Sequence, residues 1–221
     1  MDFAETFLNG DVIARTWPML VRGVWNTFAL AATTIVCGGV VGVLICLIRL
    51  YAARPLRWLA IAYVDVFRAI PILVLLVLVY YALPFVGIRL SSFVSAVVAL
   101  GLVFSSFTAE VFRAGIQAIP KGQVEAAKAL GLPFRVTIWK VILPQALRIA
   151  IPPQTSNAVA IAKDTSLASV VAMPDLLKQA TDAQALTANP SPLIAAALMY
   201  LVVLLPAVRL VSYFETRYRH A

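Results

Sequence analysis

Residues 26–48 read NTFALAATTIVCGGVVGVLICLI, a run without one charged side chain. About 20 consecutive apolar residues suffice to cross the ~30 Å hydrocarbon core of a bilayer, so this stretch places the chain in a membrane. Gly38 and Gly42 stand four apart within it and share one helix face, where missing side chains let a second helix come close. The spacing predicts a helix contact there. Both cysteines, Cys37 and Cys46, fall in the same run. Two thiols in lipid build neither a disulfide framework nor a four-ligand metal site, and they read as inert packing residues.

The rest of the chain agrees with that beginning. Of 221 residues 62% are hydrophobic and 13% charged, against about 25% charged in soluble domains, and the mean hydropathy is +0.93. An all-α polytopic protein with one membrane domain over 1–221 is expected, with no room for a separate catalytic domain. The net charge of +8 comes from Lys and Arg beside apolar runs, not from one basic arm, which excludes a nucleic-acid reading. Asp2, Glu5 and Asp11 precede the first Arg; without a basic n-region, the first span is expected to be retained.

Four further apolar stretches follow, at about 58–83, 91–115, 146–171 and 192–214. The second is interrupted by Asp65, Arg68 and Pro71, the third carries Glu110 and Arg113 near its far end, and the fourth contains Pro152, Pro153, Lys163 and Asp164. Such interruptions are tolerated at membrane depth only where they face protein or a cavity. The two prolines fit either a hinge near a midplane site or a static kink. Trp17, Trp25 and Tyr80 read as interface anchors. Basic residues gather on one side, in Arg49, Arg54 and Arg57, then Lys121, Lys128, Arg135 and Lys140, then Arg217 and Arg219; the other side has mainly Arg89 and Lys178. The positive-inside rule then puts the N-terminus outside and the C-terminus in the cytoplasm.

That topology leaves residues 120–145 in the cytoplasm. Gly122 to Leu132 read as a short helix of good formers ended by Gly131 in the left-handed C-cap position, and Pro133 suits the first turn of a second helix running toward Pro144. Ala126 and Ala127 make a low surface beside the fixed charge of Glu125, the features of a docking knob; an ordinary connecting hairpin would look similar.

The order Glu125-Ala126-Ala127, three residues, Gly131, nine residues, then Val141-Ile142-Leu143-Pro144 resembles the signature cytoplasmic loop of ABC importer permeases, with Val141 where isoleucine is more usual. Phe67-Arg68-Ala69-Ile70-Pro71, Ala109 to Gln117, Lys121-Gly122-Gln123 and Lys163-Asp164-Thr165-Ser166-Leu167 extend the likeness to the polar amino acid permeases, over essentially the whole chain. Ala69-Ile70 stands where many members have Gly-Thr, a variation that resembles the glutamate/aspartate branch. The resemblance implies a bacterial inner-membrane importer of two permeases, related or identical, and two cytoplasmic ATPase subunits that bind ATP and Mg. A periplasmic solute-binding protein would deliver the amino acid. It further implies that the loop carrying Gly122, Glu125, Ala126, Ala127, Gly131, Leu143 and Pro144 is the coupling region seated on the ATPase. This chain has no glycine-rich phosphate loop ending in Lys-Ser or Lys-Thr, so it is not the hydrolysing subunit.

Three intramembrane charges are candidates for the substrate pathway. Glu110 needs a partner or water at its depth, and Arg113 is at the spacing of a helical ion pair; a local salt bridge and a gate both fit. Lys163 and Asp164 suit the carboxylate and the ammonium of an amino acid, or else pair structurally. Asp65 and Arg68 read as snorkelling or paired. His220 has no second ligand type near it, and no metal site is expected. The rival class is an ion-gradient-driven secondary transporter using Glu110 and Asp164; the lack of an internal repeat counts against it, and a non-transporting membrane anchor would need no such loop.

Overall fold

The computed structural model describes residues 3–219, with side chains for 5–211 and Tyr213; Asp2 and His220 lie outside the described residues. Every regular element described is helical: α1 (Phe3–Phe7), α2 (Gly10–Tyr51), α3 (Arg54–Ala69), α4 (Ile72–Val77), α5 (Ser92–Gln117), α6 (Lys121–Ala129), α7 (Phe134–Val136), α8 (Leu143–Asp164), α9 (Leu176–Thr187) and α10 (Ser191–Arg219). Wider π turns at Leu78–Ala82 and Thr137–Ile142, and 3-10 turns at Leu83–Val86 and Thr165–Val171, join some of them.

The opening apolar run is part of a helix that begins 16 residues earlier. Asn9 caps it, its side-chain oxygen accepting from the amides of Asp11 and Val12 at 3.1 and 3.2 Å. At 1.5 Å per residue α2 is about 60 Å long, twice the hydrocarbon core, so it continues past the membrane through Arg15 and Arg22, both good helix formers. Gly38 and Gly42 face α5 as expected. A Cβ on Gly42 would lie 2.5 Å from Thr108 Cβ, and one on Gly38 would lie 3.1 Å from the Gly101 carbonyl.

Residues 58–83 do not form one straight helix. α3 and the segment after it meet at 104°, because Ile70 is extended (φ −78°, ψ 129°), the conformation that proline imposes on the residue before it. Asp65 and Arg68 therefore sit on α3, apart from the uncharged α4. Among the described residues three helices are long and apolar enough to cross a membrane, or four if the bent pair counts as one span. α8 does not have that composition; it carries Pro144, Pro152, Pro153, Gln154, Asn157, Lys163 and Asp164.

α5 is the centre of the packing. Ala96, Ala99, Leu100, Val103 and Phe104 are buried against Leu30 of α2, Leu75 and Leu76 of α4 and Ile161 of α8. Its polar face is buried too: Thr108 accepts a 2.9 Å hydrogen bond from Gln154 Nε2 of α8, and Ser105 pairs with the Tyr63 hydroxyl at 2.7 Å. Buried side-chain partners of this kind let a helix as polar as α8 lie inside a membrane domain.

The two ends of the bundle can be told apart. At one, the Asn9 amide donates to Ser191 Oγ at 2.9 Å, and α9 is held between α2 and α10 by Leu20, Leu176, Ala180 and Ala196. The connection after residue 171, which the sequence marks only by its charges, thus contains a helix with one buried face, Leu176, Ala180 and Ala183. Asp175 caps it, accepting from the Lys178 amide at 2.9 Å, while the Leu176 amide donates to Thr27 Oγ1 at 3.0 Å. At the other end Leu47, Tyr51, Ile116, Phe134 and Ile138 surround one apolar recess, so the last turns of α2 and α5 lie beside the polar loop.

Candidate functional site: an exposed loop, an ion-pair cluster and a charged cavity

The loop has the shape its residues require. Gly131 adopts φ +69°, and the turn it makes closes with Gly131 N to Lys128 O at 2.9 Å and Leu132 N to Ala127 O at 3.0 Å, satisfying carbonyls that a helix end leaves open. Gly122 sits in ordinary helix with open space where a Cβ would go, so neither conformation nor crowding demands a glycine there. The two alanines differ: Ala126 is exposed, whereas Ala127 is 3% exposed and packs inward. The outward surface is Glu125 and Ala126 with Leu130 and Phe134, at 77% and 70% exposure.

The second helix of the loop does not stop at Pro144. Three residues of α7 pass into the π turn and directly into α8. The Leu143 amide donates to Ile138 O, five residues back rather than four. Pro144 has no amide to continue an α-helical ladder, and the wider turn before it takes up the mismatch, a common use of π turns. Leu143 and Pro144 are thus the first turn of α8, and α7, the π turn and α8 are one continuous rod, from which α6 is set off by the turn at Gly131. Gly115 lets that rod lie close to α5, since a Cβ there would come within 2.9 Å of Ala146 O.

Glu110 is bound on both sides. Arg113, one turn along α5, donates to it through Nε at 3.1 Å and also through Nη2; Arg49 of α2 donates through Nη1 at 2.6 Å. Arg113 also bonds Gln117. The Arg113 pair is legible from sequence spacing. Arg49, 61 residues away and read as a topology signal, is not.

Asp164 and Lys163 part company. Asp164 lines a cavity of about 310 Å³ together with Arg68, Asn157, Val103, Phe104 and Phe107; Lys163 is exposed and absent from its lining. The Arg68 guanidinium lies 5.3 Å above the Phe107 ring, a cation–π arrangement that aims it into the space. Val103 to Phe107 are midway along α5, so the cavity lies at mid-height of the bundle. The sequence read Arg68 as snorkelling or paired and did not single out Asn157; the signal for Arg68 was the Pro71 break beside it, where the chain bends by 104°. Glu110 is not in this lining. Among the described residues no three His, Cys, Asp or Glu side chains are grouped to hold a metal.

Residues 34–220 match the family described as binding-protein-dependent transport system inner membrane component. The L-cystine transport system permease protein TcyB of Bacillus subtilis is 35% identical over 80% of this chain and 76% of its own length. The arginine transport system permease protein ArtQ of the same organism is 35% identical over 85% and 87%. The glutamate/aspartate import permease protein GltK of Escherichia coli is 32% identical over 93% and 96%. A crystal structure of an amino acid ABC transporter with histidines superposes with a TM-score of 0.87 over 98% of this chain and 99% of that one, at 32% identity. The inward-facing MetNI methionine ABC transporter gives 0.70 over 89% and 96%, at 25%. With the family's match reaching from the first apolar run to the last helix, and the loop, the bent α3–α4 pair and the close-packed bundle all accounted for, the chain belongs to the inner membrane components of binding-protein-dependent transport systems, as a permease of the amino acid ABC importers.

Proposed function

We propose that this chain carries a polar amino acid inward across a bacterial inner membrane, driven by ATP that a separate cytoplasmic subunit hydrolyses with Mg. A second permease, related or identical, completes the pathway, and an external solute-binding protein delivers the substrate. The chain crosses five times, with residues 26–48, 58–83, 91–115, 146–171 and 192–214 as the crossings, the N-terminus outside and the C-terminus inside. The shared position of the α2 and α5 ends beside the loop, and of Asn9 beside Ser191 at the opposite end, supports that alternation.

The observation that carries the reading is the loop of residues 120–145. It offers Glu125, Ala126, Leu130 and Phe134 outward, and from Phe134 it runs without a break into α8, whose far end holds Asp164 at the cavity. A push from the ATPase on α6 passes through the hydrogen-bonded turn at Gly131 into α7 and α8, and so toward the substrate. In the cavity Arg68 takes the carboxylate as a two-pronged donor and Asp164 the ammonium. Lys163, exposed beside it, acts at the mouth of the pathway, and the Arg49–Glu110–Arg113 cluster braces the cytoplasmic end. The likeness to GltK and the Ala69-Ile70 pair support glutamate or aspartate; the likeness to cystine and arginine permeases supports other side chains equally.

Reconstitution tests this. Vesicles holding the complex should accumulate amino acid only with ATP and the binding protein on opposite faces. Accumulation driven by an ion gradient without ATP would replace it with the secondary-transport reading.

A further inference from the structure

We infer that the cavity, if it holds substrate as read above, selects an amino acid with an uncharged side chain and rejects one bearing a second carboxylate. The ground is a balance of charges. Among the described residues of its lining, Arg68 is the one cation and Asp164 the one anion. An amino acid's head group consumes both: the carboxylate takes the guanidinium and the ammonium takes the Asp164 carboxylate.

What remains for the side chain is the Asn157 amide and the walls formed by Val103, Phe104 and Phe107. An amide both donates and accepts, so it pairs with a neutral polar group, and the aromatic rings take aliphatic carbons. A second carboxylate would leave water to lie against Val103, Phe104 and Phe107 with no further cation in the lining to meet it, which is unfavourable. The neighbouring cations are committed elsewhere. Arg49 and Arg113 both bind Glu110, and Lys163 is on the exposed side of α8. A second positive charge fares no better, because Asp164 is already used. The volume of about 310 Å³ is near the lower end of ligand pockets, roughly 300–1,000 Å³, and suits one small amino acid.

The test omits the solute-binding protein, whose own selectivity would mask that of the cavity. The purified permease–ATPase complex is titrated at neutral pH with L-glutamine, L-glutamate and L-lysine in equilibrium dialysis. Glutamine is expected to bind at least about 10-fold tighter than either charged probe, within the range that one unsatisfied polar group costs. Asn157→Lys supplies the missing cation and should reverse the order between glutamine and glutamate. Glutamate binding the unaltered complex as tightly as glutamine would overturn the inference while leaving the cavity as the substrate site. Binding of none of the three, in a complex that still hydrolyses ATP, would overturn the cavity reading and this inference with it.

Discussion

Arg49 of α2 places its Nη1 2.6 Å from Glu110 Oε2 of α5, an ion pair that ties the first long helix to the central one. Arg113 shares the carboxylate, and the three side chains are about one-fifth exposed. A partly buried pair of this kind is worth more than a surface one but less than a fully desolvated one. A double-mutant cycle of Arg49→Gln and Glu110→Gln, read by thermal unfolding in detergent, should show a coupling of about 1 kcal/mol. Strict additivity would mean that the pair contributes nothing.

The glycines of α2 separate packing from propensity. Gly42→Ala drives a Cβ to 2.5 Å from Thr108 Cβ and 2.6 Å from Ser105 O, so α2 and α5 must part; overpacking of this sort costs about 1–3 kcal/mol. Gly39→Ala meets only Phe104 Cε1, at 3.9 Å, and should be neutral or slightly stabilising, as alanine is the better helix former. Equal melting temperatures for the two variants would refute the contact.

Much of this was legible in the sequence, and the reason is local. The Gly38 and Gly42 contact follows from helical spacing, the Glu110–Arg113 pair from one turn of helix, the Gly131 cap from a glycine followed by Leu132 and Pro133. What was not legible depends on distant segments. Arg49 as the partner of Glu110, Arg68 as a cavity wall and the inward face of Ala127 require knowing which elements meet. Residues 172–191 read as a connecting loop because their charges outweigh any apolar period, although Asp175 after Pro174 is a helix-cap signal that α9 uses.

Asp175 makes the α9 end of the bundle sensitive to pH. Burial pushes its carboxyl up to about 6 from 3.8, against the pull of the backbone amides it caps. The folded state then holds the proton more tightly than the unfolded one, so stability is greatest below pH 3.8 and falls as pH rises toward 6, by at most about 3 kcal/mol. Asp175→Asn keeps an oxygen for the Lys178 amide and removes the charge. It should abolish this slope and melt higher than the parent at pH 8; a melting curve with the same pH slope would contradict the assignment.

The two loop glycines should behave differently. Gly131→Val forces a β-branched residue to φ +69°, a left-handed conformation that costs L-residues about 1–2 kcal/mol, and so loosens the end of α6. Uptake should fall several-fold while ATP hydrolysis persists and the chain remains inserted. Gly122→Ala, in ordinary helix with open space, should transport like the parent. Loss in both would point to a surface requirement at Gly122 and not to backbone conformation.

The central claim is that the outward face of α6 is what the ATPase grips. In a chain with Cys37 and Cys46 replaced, single cysteines at Ala126 and at Ala127 are cross-linked in native membranes and the attached peptide identified by mass. The account predicts that Ala126→Cys captures a subunit carrying a P-loop and that Ala127→Cys, directed into the permease, captures it far less. An ATPase absent from both, in membranes where the complex is assembled and transporting, would contradict it.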